Sequence, residues 1–306
     1  MPTVTAPSRI KLQNILYATD LSQSAQTVLS HALDLARHYG AVLYTVHVLP
    51  HMPFVEAAAP YPAEIKSHAK EDLNSLTSSV SWQAVGHKEL IERGEVCQVL
   101  EELVRKYDID LILLGTGGRT GLEKMLLGSV AEEVFRRAEC PVLTVGPHAT
   151  RWQIDGNLQD ILFATDFGPE SLHALPYAIS LAEENGARLT MLHVAPEPGI
   201  ALLEPEPGAM PVVDPKELVA STEKQLRALL PEGTQLAREP EYLVHFGSPA
   251  EIILRVAQAA DMIVIGVKRP AVLTKHLGAG VAYKVACEAR CPVLSVGERF
   301  HQRRTG

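Results

Sequence analysis

Short apolar runs alternate along this chain with stretches in which apolar residues return every three or four positions. Ile15–Thr19 is a brief apolar run of strand type. From Ser24 to Tyr39, the residues Val28, Leu29, Ala32, Leu35 and Ala36 share one helical face, and Gly40 is placed to close that helix. Ala41–Val48 reads as a second strand, the stretch from about Ala63 to Ser79 as a more polar helix, and Lys88–Glu92 as a third strand. Val96, Val99, Leu100, Leu103, Val104 and Tyr107 recur at helical spacing, the pattern of a helix that buries one face. Ile109–Leu114 is apolar throughout, as a strand covered on both faces should be. A helix from about Ser129 to Arg137 and a strand over Pro141–Val145 complete the unit.

The unit then occurs again. QNILYATD at Gln13 returns as QDILFATD at Gln159, so Asp20 corresponds to Asp166 (166 − 20 = 146), and His47 to His193 at the same offset. AECPVLTVG returns as ARCPVLSVG, with Cys140 matching Cys291 (291 − 140 = 151). The loop Ala195–Pro215 is longer than its counterpart and absorbs the difference. Repeats on this scale, each alternating strand and helix, predict two tandem α/β domains, 1–150 and 151–306, each doubly wound with a parallel sheet and helices on both faces.

Composition removes several classes of function. With 306 residues, 46% apolar and 21% charged, the chain has an ordinary globular make-up, and its net charge of −8 without any basic run argues against nonspecific nucleic-acid binding. No apolar stretch approaches the roughly 20 residues that span a bilayer, and MPTVTAPSRIKLQ lacks the apolar centre of a signal peptide, so a cytoplasmic location is expected. Four cysteines in this length make no disulfide framework, and Cys287 and Cys291 have no second pair of ligands near in sequence. HExxH and G-x-S-x-G are both absent, so no metal and no catalytic residue is assigned. The acidic pairs Glu101–Glu102, Glu132–Glu133 and Glu183–Glu184 fall on polar helix faces and are expected to be solvated.

One segment carries candidate chemistry. GTGGRTGLEKMLLGSVAEEV follows the apolar run ending at Leu114, and Gly115, Gly118, Gly128 and Ser129 form G-x2-G-x9-G-S. Glycines without a Cβ let main-chain N–H groups approach an anion, and the start of the next helix adds unpaired N–H groups and the positive end of its dipole. Arg119 adds a charge. The competing reading is a flexible loop in which Ser129 only caps a helix, and spacing alone leaves the two level. The segment is neither a Walker loop, having no G-K-[ST], nor GxGxxG.

These residues resemble the universal stress protein family. The G-x2-G-x9-G-[ST] motif is matched without a gap, supported by ILYATD, by His47–Val48 and by CPVLTVG, and the likeness covers both halves. The resemblance implies five strands in the order 3-2-1-4-5 and ATP, with or without Mg²⁺, between strands 1 and 4. Ala18, Thr19 and Asp20 would then lie beside ribose and adenine, and Val48 would meet adenine through its backbone. Gly115, Gly118, Arg119, Gly128, Ser129 and Val130 would surround the phosphates. Asp20 has a plainer alternative as a partner for helix N–H groups; His47 and His193 read as strand residues of the family.

The second half departs from the motif. Positions matching Gly115, Gly118, Gly128 and Ser129 are Gly266, Arg269, Ala279 and Gly280, and Pro270 follows. Its ATP motif therefore reads as degenerate, with anion capture by Lys268, Arg269 and Lys275 as the alternative. The expected function is a nucleotide-binding regulatory or stress-response protein with protein partners still to be identified. The alternatives are a slow ATPase or self-phosphorylating enzyme using Ser129, and an interaction module without nucleotide. The last strands of the two copies are expected to pair as an intramolecular pseudo-dimer, which leaves room for a homodimer of the whole chain.

Overall fold

The computed structural model describes residues 10–22, 24–49, 63–116, 129–146, 149, 158–197, 214–268 and 280–297. The first half runs β1 (Asn14–Ala18), α1 (Ala25–Tyr39), β2 (Val42–Leu49), α2 (Ala63–Ser78), β3 (His87–Arg93), α3 (Val96–Lys106), β4 (Leu111–Gly115), α4 (Ser129–Arg137) and β5 (Val142–Val145). The second runs β6 (Asp160–Thr165), α5 (Pro169–Asn185), β7 (Arg188–Ala195), α6 (Pro215–Leu229), β8 (Glu241–Phe246), α7 (Pro249–Val256), β9 (Met262–Val267), α8 (Val281–Glu288) and β10 (Val293–Gly297), with a single 3-10 turn after α7. The helix expected from Ser24 begins at Ala25 and ends on Gly40, whose φ of 64° is the left-handed conformation that a side chain would strain.

Among the described residues the strands form one sheet of ten, ordered β3-β2-β1-β4-β5-β10-β9-β6-β7-β8. Each half keeps the order 3-2-1-4-5, but the two sheets are not separate bodies. β5 and β10 pair antiparallel, with Leu294 opposite Leu143, while the pairs within each half are parallel. An apolar edge strand left open would template pairing with another chain, and here each half closes the other's edge.

Two cores follow from the period-two alternation of the strands. On one face, Leu16, Ile112 and Leu114 and their counterparts Leu162, Ile263 and Ile265 meet α3, α4, α7 and α8. On the other, Ile15, Tyr17, Leu113, Ile161 and Phe163 meet α1 and α5. Both cores cross the seam. There, Leu143 and Leu294 are 2% and 6% exposed, and cutting either back to alanine costs about 2–5 kcal/mol.

A polar chain also joins the halves. Ile10 N–H donates to Ser180 Oγ (2.8 Å), Ser180 Oγ to Glu184 Oε1 (2.7 Å), and the Tyr39 hydroxyl to Glu184 Oε2 (2.8 Å). Burial first, then the Glu184 carboxylate, raises the Tyr39 pKa, so the phenol stays a donor. Of the acidic pairs expected to be solvated, Glu102 is exposed as expected, while four others find partners. Besides Glu184, Glu101 and Glu133 both hold Arg137 (2.9 and 2.8 Å), and Glu183 accepts from Gln235 N–H (2.9 Å). Polarity on a helix face does not reveal which charge that face will meet.

Candidate functional site

The carboxyl ends of β1, β2 and β4 lie side by side, because Ala18 is paired with both Val46 and Leu114. β1 feeds toward β2 and β4 toward β5, so strand order reverses between β1 and β4, and such a switch point leaves a crevice open above the sheet. Among the residues singled out from sequence, Ala18, Thr19, Asp20, Val48 and Gly115 meet at this place. Gly118, Arg119 and Gly128 lie outside the described residues, while Ser129 and Val130 are the first two residues of α4, the helix start expected for them.

The end of β1 is built by a short run of hydrogen bonds. Thr19 N–H donates to the Val46 carbonyl (2.9 Å), extending the ladder by one step. The Thr19 carbonyl is taken by His47 Nδ1 at 2.9 Å, so that ring nitrogen carries a proton. The chain then turns sharply at Leu21, whose φ of 59° is left-handed. A leucine in that region is strained by roughly 1–2 kcal/mol. Two bonds hold it: Leu21 N–H to Thr19 Oγ1 (3.1 Å) and Ser22 N–H to Asp20 Oδ1 (2.9 Å). The Asp20 carboxylate therefore serves the turn ahead of α1 rather than the helix itself. Its Oδ2 has no partner among the described residues, and the side chain is exposed.

Val48 gains its position by alternation. Val46 faces β1, since its carbonyl accepts from Thr19, and Leu49 faces β3, since its carbonyl accepts from Gly94 N–H (3.1 Å). Successive residues of a strand present their main-chain groups to opposite sides. Val48 thus points its N–H and C=O toward the β1 side, past Ala18, where β1 has stopped pairing. Gly115 closes the arrangement at the end of β4, where, among the described residues, an added Cβ would meet only Val28 Cγ2 at 3.3 Å.

The same construction recurs at β6, with different contents. His193 Nδ1 bonds the Thr165 carbonyl (2.9 Å), and Phe167 takes the left-handed turn at φ 60°. The Phe167 ring lies 4.7 Å from the His193 ring. The carboxylate here has more partners, though it too is exposed: Asp166 Oδ1 accepts from Gly168 N–H (2.9 Å) and Ser171 Oγ (3.0 Å), and Lys268 Nζ stands 3.5 Å from Oδ2. Burial alone would raise the Asp166 pKa, but Gly168 N–H, the Ser171 hydroxyl and the Lys268 ammonium outweigh it and the net shift is downward. The helix α5 begins at Pro169, two residues before Ser171, the match for the first residue of α1 (25 + 146 = 171). That extra half-turn lies against Gly266, where an added Cβ would come within 2.4 Å of Glu170 C and Ser171 N.

Sequence reasoning singled out Asp166 and Lys268 separately and did not join them. It also left Ser171 and the histidines without structural roles. A recurring Thr-Asp paired with a recurring His at fixed offset was the available signal for the bond between them. No helix among the described residues is long and apolar enough to cross a membrane.

The model of the universal stress protein family matches residues 11–146 and again 157–297. A universal stress protein of Methanocaldococcus jannaschii is 35% identical over 139 residues, which are 44% of this chain and 81% of that one. Universal stress protein A homolog 1 of Coxiella burnetii is 36% identical over 140 residues, 44% of this chain and 95% of its own. At the level of fold, the crystal structure of a universal stress protein from Archaeoglobus fulgidus covers 93% of this chain and 96% of its own at a TM-score of 0.69, with 19% identity.

Proposed function

Given that the chain belongs to the universal stress protein family, we propose that it binds one adenine nucleotide, ATP, in the first half and acts as a regulatory protein of the stress response. The observation that carries this reading is the contrast in carboxylate environment. Asp20 Oδ2 has no partner among the described residues and the main chain of Val48 lies past the end of β1, while Asp166 is engaged by its own chain on both oxygens. Asp20 is suited to accept from ribose hydroxyls, and Val48 offers an adjacent donor and acceptor to the edge of a base. Gly115, Gly118, Arg119, Gly128, Ser129 and Val130 would receive the phosphates at the start of α4, where helix N–H groups and dipole favour negative charge. Bound nucleotide would then bias conformation or partner choice by its differential affinity for the two states.

Titration calorimetry of the whole chain with ATP, with and without Mg²⁺, is the test. One equivalent per chain, lost in Asp20→Ala, is the expected result. Two equivalent sites, or no binding by protein that mass spectrometry finds free of nucleotide, would overturn it.

A further inference from the structure

Away from the crevice, on the face of the sheet covered by α3 and α4, three ligand-type side chains converge. We propose that Glu95, Cys97 and Glu133 form a binding site for a single thiophilic divalent cation, Zn²⁺ being the type. Their ligand atoms (a carboxylate oxygen from each glutamate and Cys97 Sγ) all lie within 4.8 Å of one another. In a tetrahedral zinc site with bonds of about 2.0–2.3 Å, neighbouring ligand atoms sit about 3.5 Å apart, so closure by roughly 1 Å through side-chain rotation is enough.

The second observation is the thiol. Cys97 is only 2% exposed and its Sγ makes no hydrogen bond among the described residues, yet two carboxylates approach it. A structural buried cysteine belongs among apolar neighbours.

Existing bonds leave room for a metal. Glu95 caps α3, with Oε1 accepting from Cys97 N–H and Oε2 from Gln98 N–H, both at 2.9 Å. Glu133 Oε1 holds Arg137 (2.8 Å), which also holds Glu101 (2.9 Å). Each carboxylate oxygen has a second lone pair. One guanidinium among three carboxylates leaves the cluster net negative. The fold does not require the trio. In the second half the matching cap is Ser248, the matching cysteine is Ala250, and the match for Glu133 is Lys284 (133 + 151 = 284), which pairs with Glu251. On binding, Sγ forms a bond to the cation and the thiol proton leaves to solvent, while the two carboxylates and a water complete the coordination. Thiolate favours zinc over magnesium or calcium.

The second half also supplies the variants, since Cys97→Ala, Glu133→Lys and Glu95→Ser install residues its own fold accepts. Chelator-treated full-length protein would be titrated with Zn²⁺ by calorimetry and with Co²⁺ by absorption. The expected result is one equivalent per chain, a thiolate-to-cobalt charge-transfer band, and loss of both in Cys97→Ala and in at least one glutamate variant that retains cooperative unfolding. No uptake, uptake without the band, uptake that persists in Cys97→Ala, or uptake kept by both glutamate variants would each overturn the proposal.

Discussion

The two crevices begin alike and are furnished differently. At the end of β1, Asp20 gives one oxygen to Ser22 N–H and leaves the other exposed. At the end of β6, Asp166 meets Gly168, Ser171 and Lys268, and the first turn of α5 presses on Gly266. The β-ladders and histidine contacts beneath are unchanged, with both ring nitrogens 2.9 Å from the threonine carbonyls. The difference among the described residues is small: half a turn of helix and one lysine, with the sheet left intact. Retention of the Thr-Asp signature in a repeat therefore does not imply retention of the same partners around the carboxylate.

The largest effect should come from Gly118→Arg, which gives the first half the residue that the second half has at that position, Arg269. ATP affinity is expected to fall at least about 100-fold, or about 2.7 kcal/mol, in calorimetry. Parent-like affinity would break the contrast at its centre. Next comes a paired alanine test. Gly266→Ala forces a Cβ into the Glu170–Ser171 backbone and should cost about 2 kcal/mol in denaturant unfolding, whereas Gly115→Ala meets a single movable methyl and should cost less than about 1 kcal/mol. Equal losses would mean that α5 is no closer to its sheet than α1 is.

A smaller effect probes the seam, which is also unequal. Tyr39 and Glu184 form one lock, and the positions that would make its mirror image are Asn185 and His38 (39 + 146 = 185; 184 − 146 = 38). Tyr39→Phe should cost about 1–2 kcal/mol, since it leaves a part-buried carboxylate oxygen unpaired. The smallest effect is Asp166→Asn. The carboxylate and Lys268 are 61% and 68% exposed, so solvent screening holds the loss to about 1 kcal/mol or less. The folded pKa lies below the ordinary 3.8, so the contribution is present at neutral pH and lost as pH falls through the folded value. Parent and variant should therefore differ at pH 7 and converge in acid; a gap that widens on acidification would contradict the sign.

Much of the fold was legible in advance. Val28, Leu29, Ala32, Leu35 and Ala36 announced α1, Gly40 its end, and the duplicated ATD and CPVL segments the two halves. The merger of two sheets into one was only partly so: apolar Pro141–Val145 and Pro292–Val296 needed cover, but antiparallel register with Leu143 on Leu294 is a property of two surfaces meeting. At the crevice, Gly115 could be nominated from motif spacing, and Asp20 and Val48 from the likeness to the universal stress protein family. The Lys268–Asp166 contact, spanning 102 positions (268 − 166 = 102), could not. Neither could the approach of Cys97 to Glu133, because that spacing fits no metal motif.

Local pattern determined what each segment of this chain would become, since periodicity, caps and glycine conformations act within a few residues of their cause. It also determined that the chain holds two related units. Tertiary structure alone decided which of two corresponding aspartates would meet a lysine, which acidic residues would find an arginine, a tyrosine or a thiol, and how the edges would close. Those outcomes depend on distances between segments far apart in sequence, and a fraction of a helical turn is enough to change them.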